Sequence, residues 1–404
     1  MTMAVGSYST EHVSVPGVRL AAIACGIKKN GKHDLVLFEF AEGSTTAGVF
    51  TRSHFAAAPV ILGKRHLQAA STRYFLINSG NANAGVGEAG IDDAFDCCKA
   101  LSQLTGARPT AVIPFSTGVI GERLPVGKIT DALASALAEL AEDNWLAAAR
   151  GIMTTDTRPK ICSRQFVTNG KTVSITGIAK GAGMIQPNMA TMLCYIATDA
   201  ACSQSVLQSL LTAAVDSSFN RITVDSDTST NDSCMLTATG LSQVDVSTPG
   251  DGQSAFAEAL SSLCLELAQG IIRDGEGATK FVEVRVDHGR TTEECLAVAY
   301  SIANSPLMKT ALFASDANWG RIVMAIGKAP VEIDVNKLDV HLGEIQLMRA
   351  GQKSADYTEA AGAAVMAQEE IVITVDLNAG EVSERVWTSD LSHEYVTINA
   401  EYRT

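Results

Sequence analysis

The segment Lys180-Gly-Ala-Gly-Met-Ile-Gln-Pro-Asn-Met-Ala-Thr191-Met-Leu lies near the middle of the 404-residue chain and holds the residue types that self-cleavage needs. The hydroxyl of Thr191 can attack the carbonyl of Ala190 to give an ester, and water then releases Thr191 as a new N-terminus. A hydroxyl and an α-amine on one residue form a self-contained nucleophile and base. An α-amine titrates near pH 7.7–8.0, so a useful fraction is neutral at pH 7 and accepts the hydroxyl proton. Gly181 and Gly183 give the backbone freedom. Pro187 fixes its own φ and biases Gln186 toward extended geometry, and the small Ala190 leaves its carbonyl open. The expected products are residues 1–190 and 191–404, the second beginning with the nucleophile. Without this chemistry the same stretch is a Gly-rich loop with a snorkelling lysine and a common Ala-Thr pair.

Three other stretches imitate binding motifs. Gly85-Val-Gly-Glu-Ala-Gly90 matches the dinucleotide pattern literally, but seven residues separate it from the strand end at Ile77 and no acidic residue follows about 20 positions on. A Gly/Asn-rich turn is the better reading, with Asn78-Ser-Gly-Asn-Ala-Asn-Ala-Gly85 able to line a pocket. Asp225-Ser-Asp-Thr-Ser-Thr-Asn-Asp232 resembles a calcium loop, yet its sixth position is Thr230 rather than Gly and its twelfth is Leu236 rather than Glu. It reads as a solvated turn or a pocket wall. Lys180-Gly-Ala-Gly lacks the Gly-Lys-Ser/Thr that closes a phosphate loop.

The elements that must position Thr191 alternate between short β-like runs and amphipathic helices. Strands are expected at Leu35–Phe40, Tyr74–Asn78, Thr110–Pro114, 192–198, 280–287 and 371–377, with several more between Ile322 and Leu347. Asn169-Gly170 between β-rich runs predicts a hairpin. Helices are expected over 91–104, from Ile129 with apolar residues at 129, 133, 137 and 140, and over 203–218, 255–268 and 358–368. The order has no strict βαβ rhythm, so an α+β layered fold is expected rather than a doubly wound sheet. No low-complexity linker and no internal repeat divides the chain.

Composition is that of an ordinary globular protein, 46% hydrophobic and 19% charged, with a core large enough to need no staple. The net charge of −13 argues against nucleic acid and anionic membranes as partners. Nine cysteines, an odd number with no Cys-x-x-Cys, fit reduced buried thiols in a cytoplasmic protein. Seven scattered histidines give no zinc spacing, so no metal is expected. The first residues carry no basic-then-apolar signal, and no apolar run approaches 18 residues.

Six ordered motifs give the chain a resemblance to the arginine-biosynthesis ornithine acetyltransferase (glutamate N-acetyltransferase) family. They are Ser116-Thr-Gly-Val-Ile-Gly-Glu122, Thr154-Thr-Asp-Thr157, the Lys180–Leu193 block, Asp274-Gly-Glu-Gly-Ala-Thr-Lys280, Ser315-Asp-Ala-Asn-Trp-Gly-Arg321 and Asn399-Ala-Glu-Tyr-Arg-Thr404. The resemblance implies a self-cleaving α/β sandwich of the N-terminal-nucleophile-like type. It implies Thr191 as nucleophile for cleavage and for acetyl transfer, and Thr117 and Gly118 as the oxyanion hole. Thr154, Lys180, Thr191, Glu276, Asn399 and Thr404 are the implied substrate contacts. Lys180 suits a substrate carboxylate and Glu276 a substrate ammonium. The implied reaction is ping-pong: acetyl passes from N2-acetyl-L-ornithine to Thr191, then to L-glutamate, giving N-acetyl-L-glutamate. No cofactor is implied; acetyl-CoA, where used, is a second acetyl donor, and the motifs are shared by members with and without that activity. The cleaved halves are expected to stay together as two α and two β chains.

Two other classes use the same residues differently. An amidohydrolase or aminopeptidase with the same N-terminal Thr would hydrolyse without depending on ornithine or glutamate. An acidic binding protein would keep 180–191 as an uncut loop.

Overall fold

A computed structural model describes residues 4–186 and 192–401. Ala190, Thr191 and Thr404 lie outside the described residues. Three sheets organise what is described. The first has four strands, in the order Val18–Ile23, Leu35–Phe40, Tyr74–Asn81 and Val112–Val119. The second has five, in the order Thr45–Phe50, Ser233–Ala238, Leu193–Thr198, Lys171–Lys180 and Lys160–Thr168. The third has seven and gathers the strands Phe281–Gly289, Glu370–Asp376 and Val382–Ser389 at its centre.

The first two sheets pack face to face because each strand alternates apolar residues toward both faces. Phe38, Phe40, Phe75, Ile77 and Phe115 from the first meet Ile178, Leu193, Tyr195 and Met235 from the second. Phe38 stands at the hub, with ring centroids 5.8 Å from Trp145 and 5.6 Å from Tyr195. The outer face of the first sheet carries Leu35, Leu37, Tyr74, Leu76 and Val112, which pack on residues of the helices Glu88–Thr105 and Val126–Ala138. The outer face of the second carries Val173, Ile175, Cys194, Ile196 and Leu236, covered by the helices Gln204–Asp216 and Asp251–Arg273. The result is four layers, helix–sheet–sheet–helix, the layered α+β sandwich expected. The third sheet forms its own two-layer unit with the helices Thr292–Ala303, Pro306–Phe313, Trp319–Gly327 and Glu359–Met366.

Helix Asp251–Arg273 is long and apolar enough by length and composition to cross a membrane. Its stripe Phe256, Leu260, Leu263, Leu267, Ile271 and Ile272 is spent filling the core beneath the second sheet.

Several local expectations hold. Asn169 and Gly170 both have positive φ, 51° and 72°, and close the hairpin with Thr168 opposite Lys171. All nine cysteines are free and eight are buried. The expected strand at Thr110–Pro114 instead runs Val112–Val119, and Pro114 is tolerated there because this is an edge strand, paired on one side only. The strands expected from Ile322 onward are corrected in part. Trp319–Gly327 is a helix, its apolar residues Trp319, Ile322, Val323 and Ile326 falling on one helical face, while strands occupy Asp339–Leu342 and Ile345–Arg349.

The second sheet also places the junction. Lys171–Lys180 pairs antiparallel with Leu193–Thr198, Lys180 lying opposite Leu193. The described strands end at Lys180 and resume at Leu193, so 181–192 connects two adjacent strands and contains the 190/191 peptide bond.

Replacing Phe38 by Ala should lower unfolding free energy by about 3–5 kcal/mol, since it empties the contact between the sheets. Denaturant midpoints at unchanged slope measure it.

Candidate active site

The strand ends at the C-terminal side of Val112–Val119 and Lys171–Lys180 open into a cavity of about 270 Å³. Thr117, Gly118, Thr154, Lys180, Glu276 and Asn399 all line it, together with Met192, Ser229, Asn231 and Asp232. Six residues from five separate places in the sequence are thus brought together, on walls from both sides of position 190/191.

Thr117 and Gly118 sit where the first sheet breaks register. The parallel pairing of Tyr74–Asn81 with Val112–Val119 shifts at Gly80 and Asn81, opposite Gly118 and Thr117. Gly118 has φ 135°, and a Cβ there would lie 2.3 Å from the Gly80 carbonyl carbon, so only glycine fits. The segment is held from behind. Asn231 Nδ2 donates to the carbonyls of Ala82 (2.6 Å) and Ser116 (2.9 Å), and Ser116 Oγ donates to Asn78 Oδ1 (2.6 Å). The Asn-rich stretch before Gly85 therefore supports the site through Asn78 and lines the cavity with Ala82, as expected of a pocket wall. Gly85 and Gly87 turn the chain into the helix Glu88–Thr105, and the dinucleotide-like pattern has no further role here.

Lys180 ends its strand with Nζ 3.4 Å from Thr117 Oγ1. Glu276 is buried, and its Oε2 accepts from Asn399 Nδ2 at 2.7 Å. Burial pushes the Glu276 carboxyl above its ordinary range; the Thr155 and Asn399 hydrogen bonds oppose this, Asp225 adds to it, and Lys180 opposes it. Gly183 makes the close approach possible, since a Cβ would lie 2.3 Å from Glu276 Oε2. Asn399 is carried by the helix His393–Ala400, which brings the C-terminal end of the described chain to the cavity. Tyr395 on that helix donates to Asp225 Oδ2 at 3.2 Å.

Sequence reasoning missed the groups beneath these residues. Asp156 accepts from the backbone N–H of Thr154 (2.9 Å) and of Gly181 (2.7 Å), and from Lys160 Nζ (2.5 Å). Lys160 Nζ also donates to Asp274 Oδ2 at 2.5 Å, and Asp274 receives the Thr157 N–H at 3.0 Å. Burial opposes ionisation of Asp156, but Lys160, Lys180 and the Gly181 N–H outweigh it and hold the carboxyl well below the usual range. The i, i+4 spacing of Asp156 and Lys160 is a weak signal, because it is shared with any exposed helix pair.

Asp225–Asp232 is a pocket wall. Asp225 accepts from the N–H groups of Met184 (2.6 Å) and Ile185 (2.8 Å). The Gln186 N–H donates to the Asp227 carbonyl (2.9 Å), and Thr228 Oγ1 donates to the Gln186 carbonyl (3.0 Å). Asn304 Nδ2 holds the Gln186 side chain at 2.7 Å. On the other flank the Ser233 N–H donates to the Met192 carbonyl at 3.0 Å. The described residues on either side of the junction, Met184–Gln186 and Met192, are thus held by residues that a calcium reading would have spent on a cation.

The cavity joins the Thr117–Gly118 backbone, one lysine and two carboxyl groups, a set suited to acyl transfer. Comparison with known proteins agrees. The ArgJ family description matches residues 19–404. The chain is 57% identical over 393 residues to the arginine biosynthesis bifunctional protein ArgJ of Pseudomonas syringae pv. tomato, covering 96% of this chain and 97% of that one. It is 55% identical over 407 residues to the Pseudomonas fluorescens protein of the same name, covering 100% of each. A crystal structure of the Bacillus halodurans protein so named aligns with TM-score 0.50 and 38% identity, covering 52% of this chain and 98% of that chain. This chain belongs to the ArgJ family. It is an acetyltransferase of arginine biosynthesis.

Gly183→Ala should cut acetyl transfer about a hundredfold, because displacing Glu276 by an ångström spoils alignment at the reacting centre. Steady-state rates beside a melting curve close to that of the unaltered protein check it. Lys160→Met should cost about 3–5 kcal/mol, since it leaves Asp156 and Asp274 buried without their cation; chemical denaturation measures it.

Proposed function

We propose that the chain cleaves itself between Ala190 and Thr191 and then moves the acetyl group of N2-acetyl-L-ornithine to L-glutamate through acetyl-Thr191. Thr191 Oγ attacks the acetyl carbonyl, Thr117 and Gly118 carry the oxyanion, and the Thr191 α-amine takes the hydroxyl proton. Ornithine leaves with that proton, and the glutamate amine attacks the ester to release N-acetyl-L-glutamate and restore Thr191. Lys180 binds a substrate carboxylate, Glu276 the ornithine ammonium, and Thr154, Asn399 and Thr404 complete the pocket. The observation that carries this reading is the convergence of Thr117, Gly118, Thr154, Lys180, Glu276 and Asn399 on one cavity beside Met192.

Cleavage is supported by the position of 181–192 as a connection between paired strands, open to cutting without loss of the sheet. It is supported too by the solved Bacillus halodurans chain, which is covered almost completely by about half of this one. Cohesion of the halves is supported by the second sheet, in which Lys180 and Leu193 remain paired across the cut. Assembly as two α and two β chains, a cytoplasmic location and catalysis without a cofactor complete the proposal. The free cysteines support the location. The bifunctional relatives support acetyl-CoA as a second acetyl donor.

Purified protein should give two bands on a denaturing gel, the second beginning Thr-Met-Leu-Cys by N-terminal sequencing. Thr191→Ala should give one full-length band and no transfer; two bands from that variant would overturn the assignment. N-acetylglutamate formed with acetyl-CoA as sole donor tests the second activity. The raised Glu276 carboxyl sets a pH dependence. Its ionised form binds the ammonium, so acetylornithine affinity should fall as pH drops through a value above the ordinary 4.5 of glutamate. Asn399→Ala removes a hydrogen bond that favours the ionised form, and so should move that limb to higher pH.

A further inference from the structure

Glu276 is not the only acid in the cavity. Asp232 also lines it, is 3% exposed, and keeps its Oδ2 without a hydrogen-bond partner among the described residues. Its surroundings differ from those of Glu276, whose Oε2 is engaged by Asn399. Around Asp232 stand Ser229, whose hydroxyl favours the ionised form, and Lys180, the one cation among the described lining residues. The strands packed on either side, Thr45–Phe50 and Leu193–Thr198, bring no charged side chain to it. A buried carboxyl oxygen without a partner is costly, and native proteins keep one chiefly where a ligand or a reaction uses it.

Its register specifies what the missing partner is. Ser233 pairs with Leu193, and the Ser233 N–H binds the Met192 carbonyl, so Asp232 stands beside the first described residue after the junction. The reaction proposed above brings primary amines to this place from the chain itself and from its amino-acid substrates. Cleavage frees the α-amine of the residue bonded to Met192, and glutamate arrives with its own α-amine. We infer that Asp232 is a second amine-binding carboxyl of the cavity, holding a primary amine of one of these two kinds while Glu276 serves the other end of the substrate. With no amine present, burial raises the carboxyl well above its ordinary range; an ammonium in contact stabilises its ionised form and supplies the missing donor to Oδ2.

This inference rests on the proposed self-cleavage and acetyl transfer, which the gel and the transfer assay of the unaltered enzyme test by themselves. Asp232→Asn tests Asp232. It keeps the shape, and a two-band gel with an unchanged melting temperature shows that it folds and cuts. If Asp232 holds the glutamate amine, KM for glutamate should rise about tenfold while inhibition by glutarate, which lacks the amine, is unchanged. If it holds the chain's own amine, KM for both substrates stays the same and kcat falls about tenfold. The acid limb of kcat then moves to lower pH, because a carboxylate neighbour no longer raises the amine's pKa. Unchanged kcat and KM, or equal weakening of glutamate and glutarate, would overturn the proposal. Should Asp232→Asn not fold, Ser229→Ala keeps the carboxyl and removes the hydroxyl that favours its ionised form. The same assays should then move in the same directions by a smaller factor, and no movement would overturn the proposal.

Discussion

One buried ammonium holds the active site together. Lys160 Nζ lies between Asp156 and Asp274, and through those two carboxylates it reaches three separate parts of the chain. Asp156 fixes Thr154 and the first residue of the 181–192 connection. Asp274 fixes Thr157 and starts the turn that carries Glu276. Such a cluster is not needed for stability alone, since apolar residues of equal volume often serve as well. What it provides is geometry: Thr154, the turn that carries Glu276 and the start of the 181–192 connection cannot drift independently while the three charges stay paired.

The remaining support is arranged in layers of decreasing rigidity. Behind Thr117 and Gly118 lie Asn78, Asn231 and the packed aromatic core around Phe38. Around the junction lies the hydrogen-bonded wall of Asp225 to Asp232. At the mouth lies the helix His393–Ala400, with no buried residues and two polar anchors, Tyr395 on Asp225 and Asn399 on Glu276. A rigid rear wall and a lightly anchored mouth suit a reaction in which one amino acid must leave before another enters.

Much of this was legible in the residues. The Asn169-Gly170 hairpin, the reduced buried cysteines and the mixed layering followed from local rules, and the ordered motifs named most of the cavity wall. What escaped did so for physical reasons. Trp319–Gly327 contains the run Ile322-Val-Met-Ala-Ile, as apolar as a buried strand, and only its packing against the third sheet decides for helix. Asp156, Lys160 and Asp274 are separated by up to 118 positions, and no spacing rule joins them. Asp225–Asp232 was legible as a cluster of polar side chains, but its partners are backbone groups of the junction loop, which composition does not reveal.

Under the proposed cleavage, the strand order of the second sheet fixes a sequence of events. Reading across it, segments from before position 190 stand at both edges, Thr45–Phe50 on one side and Lys171–Lys180 with Lys160–Thr168 on the other, and the two segments from after 191 lie between them. Neither half owns the whole of this second sheet. Made as separate polypeptides, each would present unpaired strand edges, the later half on both sides of its two inner strands and the earlier half along the gap they leave, with the hazard of aggregation that open edges carry. On the proposed cleavage, the uncut chain is in this sense its own assembly chaperone: the covalent link brings the interleaved strands together, and it would become dispensable once they have paired.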